Sequence, residues 1–557
     1  MTSLIAQIFK TFSKGERLVW IGTAIICLVS GILLALATFN AQTAAAPDDG
    51  GSFVEGVVGQ PSYVNPLLAK NSSPDSDLTS LIFASAVNIA ESIKHDKDYR
   101  NWTLRIKEGA LWHDGTLITS DDVIFSVQTI QNQDTLSPLF SNWQNITVSR
   151  ISEREVKFEL TSPYSLFENI LKDLRPVPKK LFADISPAHI KLSSYTFEPI
   201  GSGPFMYDYL EKRRDGFITA YALKVNDNYN ILGDVPHIKT FIFKFFENEE
   251  NLMRSYNIGA IDGFGTSNPD QLKDIKLNST TLKLPTSKYY AIFLNQNADE
   301  ALSSSLVRLA LEKSINKKDL VSQSFNNEAS IEHGPIPSTL SYYNPSIESR
   351  DSFNIEEAKS LLEQDGWQIN SDTNTWSKKQ DKNKTLQLGL TIKTTDVYPL
   401  NSMALFIKDA WNSIGIKTDI VFIDQKNIAE EIIKTRDYEA LLFGNIISPN
   451  PDLYSFWHSS QKFYPGLNLA LYDSRQADQL IENSRSVDPQ SNERQNQLDK
   501  LQELIASDAP AIFLASPRYF YVYKHSIPGV YMETINFPED RFIYVMDWYV
   551  KTKRIFK

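Results

Sequence analysis

From Leu18 to Phe39 the chain runs LVWIGTAIICLVSGILLALATF, 22 residues without a charge. A helix rises about 1.5 Å per residue, so this run reaches about 33 Å, enough to cross a hydrocarbon core of about 30 Å. Lys10, Lys14 and Arg17 precede it, and the first charges beyond it are Asp48 and Asp49. That asymmetry puts residues 1–17 in the cytoplasm and the chain beyond residues 18–39 outside. A cleaved secretory signal is the competing reading, with Ala44-Ala45-Ala46 as the small-residue site. Signal cores usually run about 7–15 residues, so the length of this run favours an uncleaved anchor. Cys27 sits mid-run behind the bulky Ile26 and reads as a lipid-facing apolar residue. No second run of this kind occurs, which leaves about 505 residues for one extracytoplasmic body.

At 557 residues the chain is longer than one hydrophobic core usually spans, so two or three lobes are expected. With 42% hydrophobic and 22% charged residues it is ordinary globular material, which excludes disorder and coiled coil. A formal net charge of -11 argues against a nucleic-acid partner. Its single cysteine, Cys27, excludes disulfide scaffolds and thiolate zinc sites.

Residues 40–52 contain AQTAAAPDDGGS, small, polar and Gly-rich, and read as a short linker. After it, strand-like and helix-like stretches alternate, which predicts α/β layering. Asn354 opens NIEEAKSLLEQDGW as a helix, with Glu357 placed for a capping box and Gly366 as the stop. Ser402–Ser413 is amphipathic and stopped by Gly415; IKTDIVFI comes next as a strand, Asn427–Lys434 as a helix and Tyr438–Phe443 as an apolar strand. In the first half, TLRIKEGALWHDG reads as strand and loop, and SDDVIFSVQTIQ as a helix capped by Ser120. VKFELTSP and FIFKFFE alternate like strands. Two polar-faced helices, about Gln476–Ser484 and Asn492–Ser507, lead into the buried strand AIFLAS. Arriving so late, that strand is expected to return to the first lobe's sheet and make that lobe discontinuous.

No HExxH helix, phosphate loop with lysine or GxSxG elbow occurs. Gly201-Ser202-Gly203-Pro204 lacks a third glycine and reads as a tight turn. The seven histidines stand apart, none at helical ligand spacing from another. Asp121/Asp122 and Glu249/Glu250 fall at expected helix starts, where the dipole accounts for them. Neither an enzyme nor a metal or organic cofactor is required by these residues.

Several segments, in order, resemble the dipeptide/oligopeptide-binding (family 5) substrate-binding proteins of ABC importers. LRIKEGALWHDGTLITSDDVIFSV is similar to the family's strand, aromatic-His-Asp-Gly turn and Asp-Asp-Val helix. PIGSGPFMYDYL resembles its Gly-Thr-Gly-Pro-Tyr segment, with Ser202 and Phe205 as departures. KVNDNYNILGDVPHIKTFIFKFF, SLVRLALEKSINKKDLV, EEAKSLLEQDGW and IGIKTDI continue the resemblance. On the residues themselves most of these letters are structural: Asp114-Gly115 suits a turn, and Trp112, His113 and Asp114 read as scaffold.

The resemblance implies an α/β, two-lobed periplasmic-binding-protein type II fold with an extra subdomain in the first lobe, here preceded by one transmembrane helix. Lobe I is expected over residues 53–286 and 511–557, and lobe II over 287–510. It implies a monomeric receptor that closes on a peptide by hinge motion and hands it to ABC permease and ATPase subunits. The same fold binding an oligosaccharide or metal chelate is the runner-up, and a peptidase-like hydrolase a third reading.

Two loops that come after strands are the expected contact regions. One is Gly59-Gln60-Pro61-Ser62-Tyr63, with Gln60, Ser62 and Tyr63 as ligand residues. The other runs from Gly444 to Asp452, with Asn445, Ile446, Ile447, Ser448 and Asp452, and Trp457 just beyond as an aromatic wall. In peptide-binding relatives an aspartate about four residues before a proline of this loop receives the peptide's ammonium group. Aligning that proline with Pro451 places Ile447 at the carboxylate's position, with Asp452 the nearest acid. A ligand with a blocked N-terminus, an internal stretch of chain, or a non-peptide is therefore expected.

Overall fold

The apolar run folds as one helix, Lys14–Gln42, in the computed structural model, which describes residues 11–70, 73–233, 235–350, 352–370, 372–381 and 384–556. Ser13 caps it, accepting from the Glu16 main chain while the Glu16 carboxylate accepts from the Ser13 N–H. None of the helix is buried, Cys27 included. Lys10 of the basic cluster lies outside the described residues, with the rest of residues 1–10.

Beyond the helix the chain is not the flexible linker its composition suggested. Thr43–Asp48 is a strand, β1, paired antiparallel from Thr43↔Phe556 to Asp48↔Lys551 with Lys551–Phe556, which is β21. Its main-chain groups are satisfied by residues at the other end of the sequence, a partner that local composition cannot reveal. Gly50 and Gly51, at φ of 125° and 81°, then bend the chain into β2, Ser52–Val58.

β3 (Ala90–His95), β4 (Asn101–Ile106), β5 (Ile146–Ser152) and β6 (Glu155–Leu160) form a separate antiparallel sheet of order β3-β4-β6-β5, the extra subdomain. The helix Ser120–Gln131 packs on it. Its cap is Thr119, one residue earlier than expected: the Asp122 carboxylate accepts from the Thr119 N–H at 2.8 Å, whereas the Ser120 hydroxyl donates to the Ser152 carbonyl at 2.7 Å.

The chain then lays down β7 (Phe205–Lys212), β8 (Ile218–Val225), β9 (Thr240–Phe246), β10 (Gly263–Thr266), β11 (Ser279–Pro285), β12 (Lys288–Leu294) and β13 (Ala329–Ile331). β14 (Gln368–Asn370), β15 (Thr375–Asp381) and β16 (Lys384–Gln387) make a small outer sheet. β17 (Gly389–Thr395), β18 (Lys417–Ile423), β19 (Ala440–Ile446) and β20 (Ala511–Lys524) complete a 12-stranded sheet of order β18-β17-β19-β12-β20-β10-β2-β9-β8-β7, with β11 and β13 also on β20. β12 reads KYYAIFL because both its faces are covered: Tyr290, Ile292 and Leu294 enter one core of lobe II, and Tyr289, Ala291 and Phe293 the other.

Helix Ile355–Gln364 is capped by the Asn354 side chain and stopped by Gly366 at φ 87°. The capping box is incomplete, because Glu357 reaches Lys313 at 3.1 Å and the Asn354 N–H donates to the Lys313 carbonyl. Helix Leu400–Ser413 is stopped by Gly415 at φ 90°. The helix expected over 427–434 shrinks to one wide turn, Ala429–Ile433.

β20 is where the lobes meet. Its first residues, Ala511–Ala515, pair with β12, and Arg518–Lys524 pair with β11. Between them the two crossing segments hold each other: the Ser516 hydroxyl donates to the Thr286 and Lys288 carbonyls at 3.0 and 2.6 Å, and the Thr286 hydroxyl to the Pro517 carbonyl at 2.7 Å.

Candidate ligand cleft

β2 and β10 are parallel neighbours, in register at Gly263↔Glu55, and their carboxyl ends open into a cavity of about 260 Å³. Val57, Val58, Thr266 and Ser267 form its floor; Pro74, Gln271 and Tyr519 stand around it. Ligands of open α/β sheets bind outside strand carboxyl ends because the chain's loops and free main-chain groups converge there. Gly265 permits this wall: a Cβ there would sit 1.7 Å from the Tyr519 hydroxyl.

Beneath the cavity lies a buried charge cluster. The Arg541 guanidinium donates to both Asp77 oxygens at 2.7 Å and to Glu55 Oε1 at 2.8 Å, and the Tyr521 hydroxyl donates to Glu55 Oε2 at 2.9 Å. Two acids thus share one cation. Burial pushes the Glu55 carboxyl up to about 7, against the attraction of Arg541. None of these residues stands out in the sequence as a site residue. A signal is present all the same: the alternation Phe53, Glu55, Val57 in β2 turns Glu55 toward the core, where an acid requires a partner.

The expected contact residues divide. Gln60 spends its carboxamide oxygen on the Ile218 N–H at 2.8 Å. The Ser62 and Tyr63 main-chain N–H groups both donate to Asp75 Oδ1, at 2.8 and 2.7 Å, leaving their side chains exposed. In the second region β19 runs three residues further than predicted, so Gly444, Asn445 and Ile446 are strand rather than loop. Asn445 is buried, donating to the Tyr289 hydroxyl at 3.1 Å; Ile446 is half-buried and Ser448 exposed. Ile447 is 1% exposed and packs in the lobe II core, so its position is not where a ligand's ammonium group sits. Trp457, fully buried against Phe293 and Phe513, belongs to that core and is not a cleft wall.

Asp452 is taken by a contact between the lobes. It pairs with Arg485 at 3.3 Å and accepts from the Tyr454 N–H at 3.1 Å. The Arg485 guanidinium lies between two rings, 4.4 Å from Tyr454 of lobe II and 4.4 Å from Tyr164 of lobe I. Burial, and next the Asp452 charge, hold the Tyr164 phenol well above its usual range. The Ser165 N–H donates to the Arg485 carbonyl at 2.7 Å. At a second point Asn326 of lobe II donates to Asp270 of lobe I at 2.9 Å. These contacts bridge the lobes away from the shared strand β20.

His113 has a structural duty. Its Nδ1 accepts from the Gly201 N–H and its Nε2 lies 3.1 Å from the Gly203 carbonyl, tying the Gly201–Pro204 turn to the WHDG turn. Burial lowers its pKa to about 4, so the ring is neutral. Gly201 and Gly203 have no alternative, because a Cβ at either would strike main-chain atoms of residues 81–82 within 2.0–2.3 Å.

Residues 86–464 match the sequence pattern of bacterial extracellular solute-binding proteins, family 5. Oligopeptide-binding protein AppA of Bacillus subtilis is 23% identical over 504 residues, covering 88% of this chain and 90% of its own. The structure of that protein in complex with a nonapeptide superposes with a TM-score of 0.73, covering 91% of this chain and all of the other. NikZ of Campylobacter jejuni, in complex with Ni(L-His), is 21% identical with a TM-score of 0.70, covering 89% of this chain and 99% of the other. These likenesses carry the two-lobed fold, and the pattern spans well over half the sequence: the chain belongs to the bacterial extracellular solute-binding proteins of family 5.

Proposed function

We propose that this chain is a membrane-tethered receptor that captures peptides between its lobes and delivers them to separate ABC permease and ATPase subunits. The observation that carries this reading is a cavity at the carboxyl ends of β2 and β10, in a molecule whose lobes share β20 and meet through Asp452, Arg485 and Tyr164. Such a site works by enclosure, with main-chain groups and ordered water accommodating varied side chains. Relatives with peptide ligands favour a peptide over other solutes. The strand pairing supports lobe I over residues 53–286 and beyond 516–517, with lobe II between, and a monomer suffices to form the cleft.

The tether reading rests on the helix Lys14–Gln42, whose mean hydropathy of 2.5 over its most apolar window and lack of any buried face suit lipid. A mature N-terminus at Pro47 would overturn it. Asp452, the acid of the 444–452 loop, already serves Arg485, which leaves that loop no free carboxylate for a ligand's amino end. Calorimetry with one peptide in free and N-acetylated forms should give affinities within about tenfold of one another, roughly 1.4 kcal/mol. The decisive experiment is mass spectrometry of the solute that co-purifies with the detergent-extracted protein. Intact peptides support the reading; cleaved fragments point to a hydrolase. A metal chelate, as in the NikZ complex, supports the second reading.

A further inference from the structure

The ribbon of β1 and β21 does more than join helix to body. All six residues of β21 are exposed, among them two large apolar side chains, Ile555 and Phe556, the latter 75% exposed. The Phe556 ring stands edge-on to Phe39, with 6.4 Å between centroids, and the Thr43 hydroxyl donates to the Phe39 carbonyl at 2.6 Å. Phe39 is the last residue of the apolar run, and Thr43 is the register partner of Phe556. The tip of β21 is therefore level with the place where the apolar run ends.

From that level the ribbon climbs about 3.3 Å per residue, which puts Arg554 about 7 Å and Lys553 about 10 Å along it. The headgroup layer on each side of a bilayer is about 5–8 Å deep. Lys551, Lys553 and Arg554 face a single acid on β1, Asp48, which lies 3.4 Å from Lys553. An aromatic ring at the hydrocarbon boundary with cations just above it is the arrangement that interfacial anchors use.

We propose that the β1–β21 ribbon is a foot on the extracytoplasmic leaflet: Ile555 and Phe556 enter its boundary, and Lys553 and Arg554 hold anionic phospholipid headgroups. The foot fixes the height and tilt of lobe I above the bilayer. This rests on the tether reading, since only an uncleaved Lys14–Gln42 helix brings the ribbon to the surface.

The test uses the full chain with Cys27→Ala and an environment-sensitive fluorophore on Phe556→Cys, reconstituted into phosphatidylcholine vesicles with or without phosphatidylglycerol. A lipid bearing a nitroxide near its headgroup should quench the label at 556, and should leave a label on Thr552→Cys, about 13 Å further out, untouched. Ile555→Cys gives a second reporter that retains the Phe556 ring. Lys553→Glu with Arg554→Glu should at least halve the quenching, with the larger loss in phosphatidylglycerol vesicles. Protein that floats with the vesicles yet shows equal quenching at 556 and 552 overturns the foot and leaves the tether standing. Protein that does not float overturns the tether, and the foot with it. A label at 556 shielded only when a permease is present assigns the surface to a protein and likewise overturns the foot.

Discussion

Replacing Arg485 with alanine removes the guanidinium from between the Tyr164 and Tyr454 rings and from the Asp452 carboxylate. Each ring contact is worth about 1 kcal/mol and a partly exposed ion pair about 0.5 kcal/mol. Asp452 and Tyr164 regain water once the lobes part, so the variant's open state leaves no buried charge unpaired. The closed state should therefore lose about 2–3 kcal/mol against the open one, about a 30- to 150-fold change in their ratio. Pulsed dipolar spectroscopy between spin labels on Lys172→Cys and Asn483→Cys, in a Cys27→Ala background, reads that ratio directly. Without ligand, the native clasp should give a short, narrow distance distribution and Arg485→Ala a longer, broader one. Ligand affinity should weaken by no more than the same factor, since binding must now supply the closure energy. Identical distance distributions in the two proteins, with equal thermal unfolding, would refute the clasp.

Glu55 sets a pH dependence. Its carboxyl, at about 7 in the folded chain against an ordinary 4.5, keeps a proton that the unfolded chain releases. Stability present below about pH 4.5 is then lost as pH rises through 7, to a limit of about 3 kcal/mol. Glu332, raised to about 8 by burial, acts in the same direction. Melting temperature should fall from mildly acidic to alkaline buffer, and Glu55→Gln should flatten the slope; a pH-independent melt contradicts the reading. His113→Ala should cost about 1–3 kcal/mol in denaturant melts by orphaning the Gly201 and Gly203 main-chain groups, with ligand affinity of the folded fraction unchanged. Ile447→Asp should cost about 3–5 kcal/mol by burying an unpaired carboxylate in the lobe II core, without creating a preference for free peptide amines.

The apolar helix, the two-lobed class, most helix stops and the late return of β20 are legible in the sequence because each rests on a local signal or a collinear motif. The end of β19 is not. Gly444 and Asn445 ordinarily punctuate a strand, yet here Gly444 lies against Tyr290, where a Cβ would approach the ring within 3.1 Å, and Asn445 bonds Tyr289. The strand runs on, and placing its end too early shifts Ile447 and Trp457 from core to cleft. Asp452 can be found from its loop, but its role depends on Arg485 and Tyr164, which the sequence holds far from it. The cavity is out of reach for the same reason: its walls come from residues 56–58, 74–77, 265–271, 519 and 541, and only the fold brings them together.

β20 also has a consequence for how the molecule is made. It is the central strand on which both lobes close, yet it begins only at Ala511. While the chain is still crossing the membrane, β10, β11 and β12 have an open edge and no partner to cover it. Neither half can settle independently, so contacts of long sequence separation must form last and slowly. The first half waits, exposed, for some five hundred residues to arrive. A truncation just before residue 511 should therefore leave two unfinished sheets and no surviving lobe. Biogenesis of this receptor is a single late event, and the chaperones of the compartment it enters must shield the nascent edges until then.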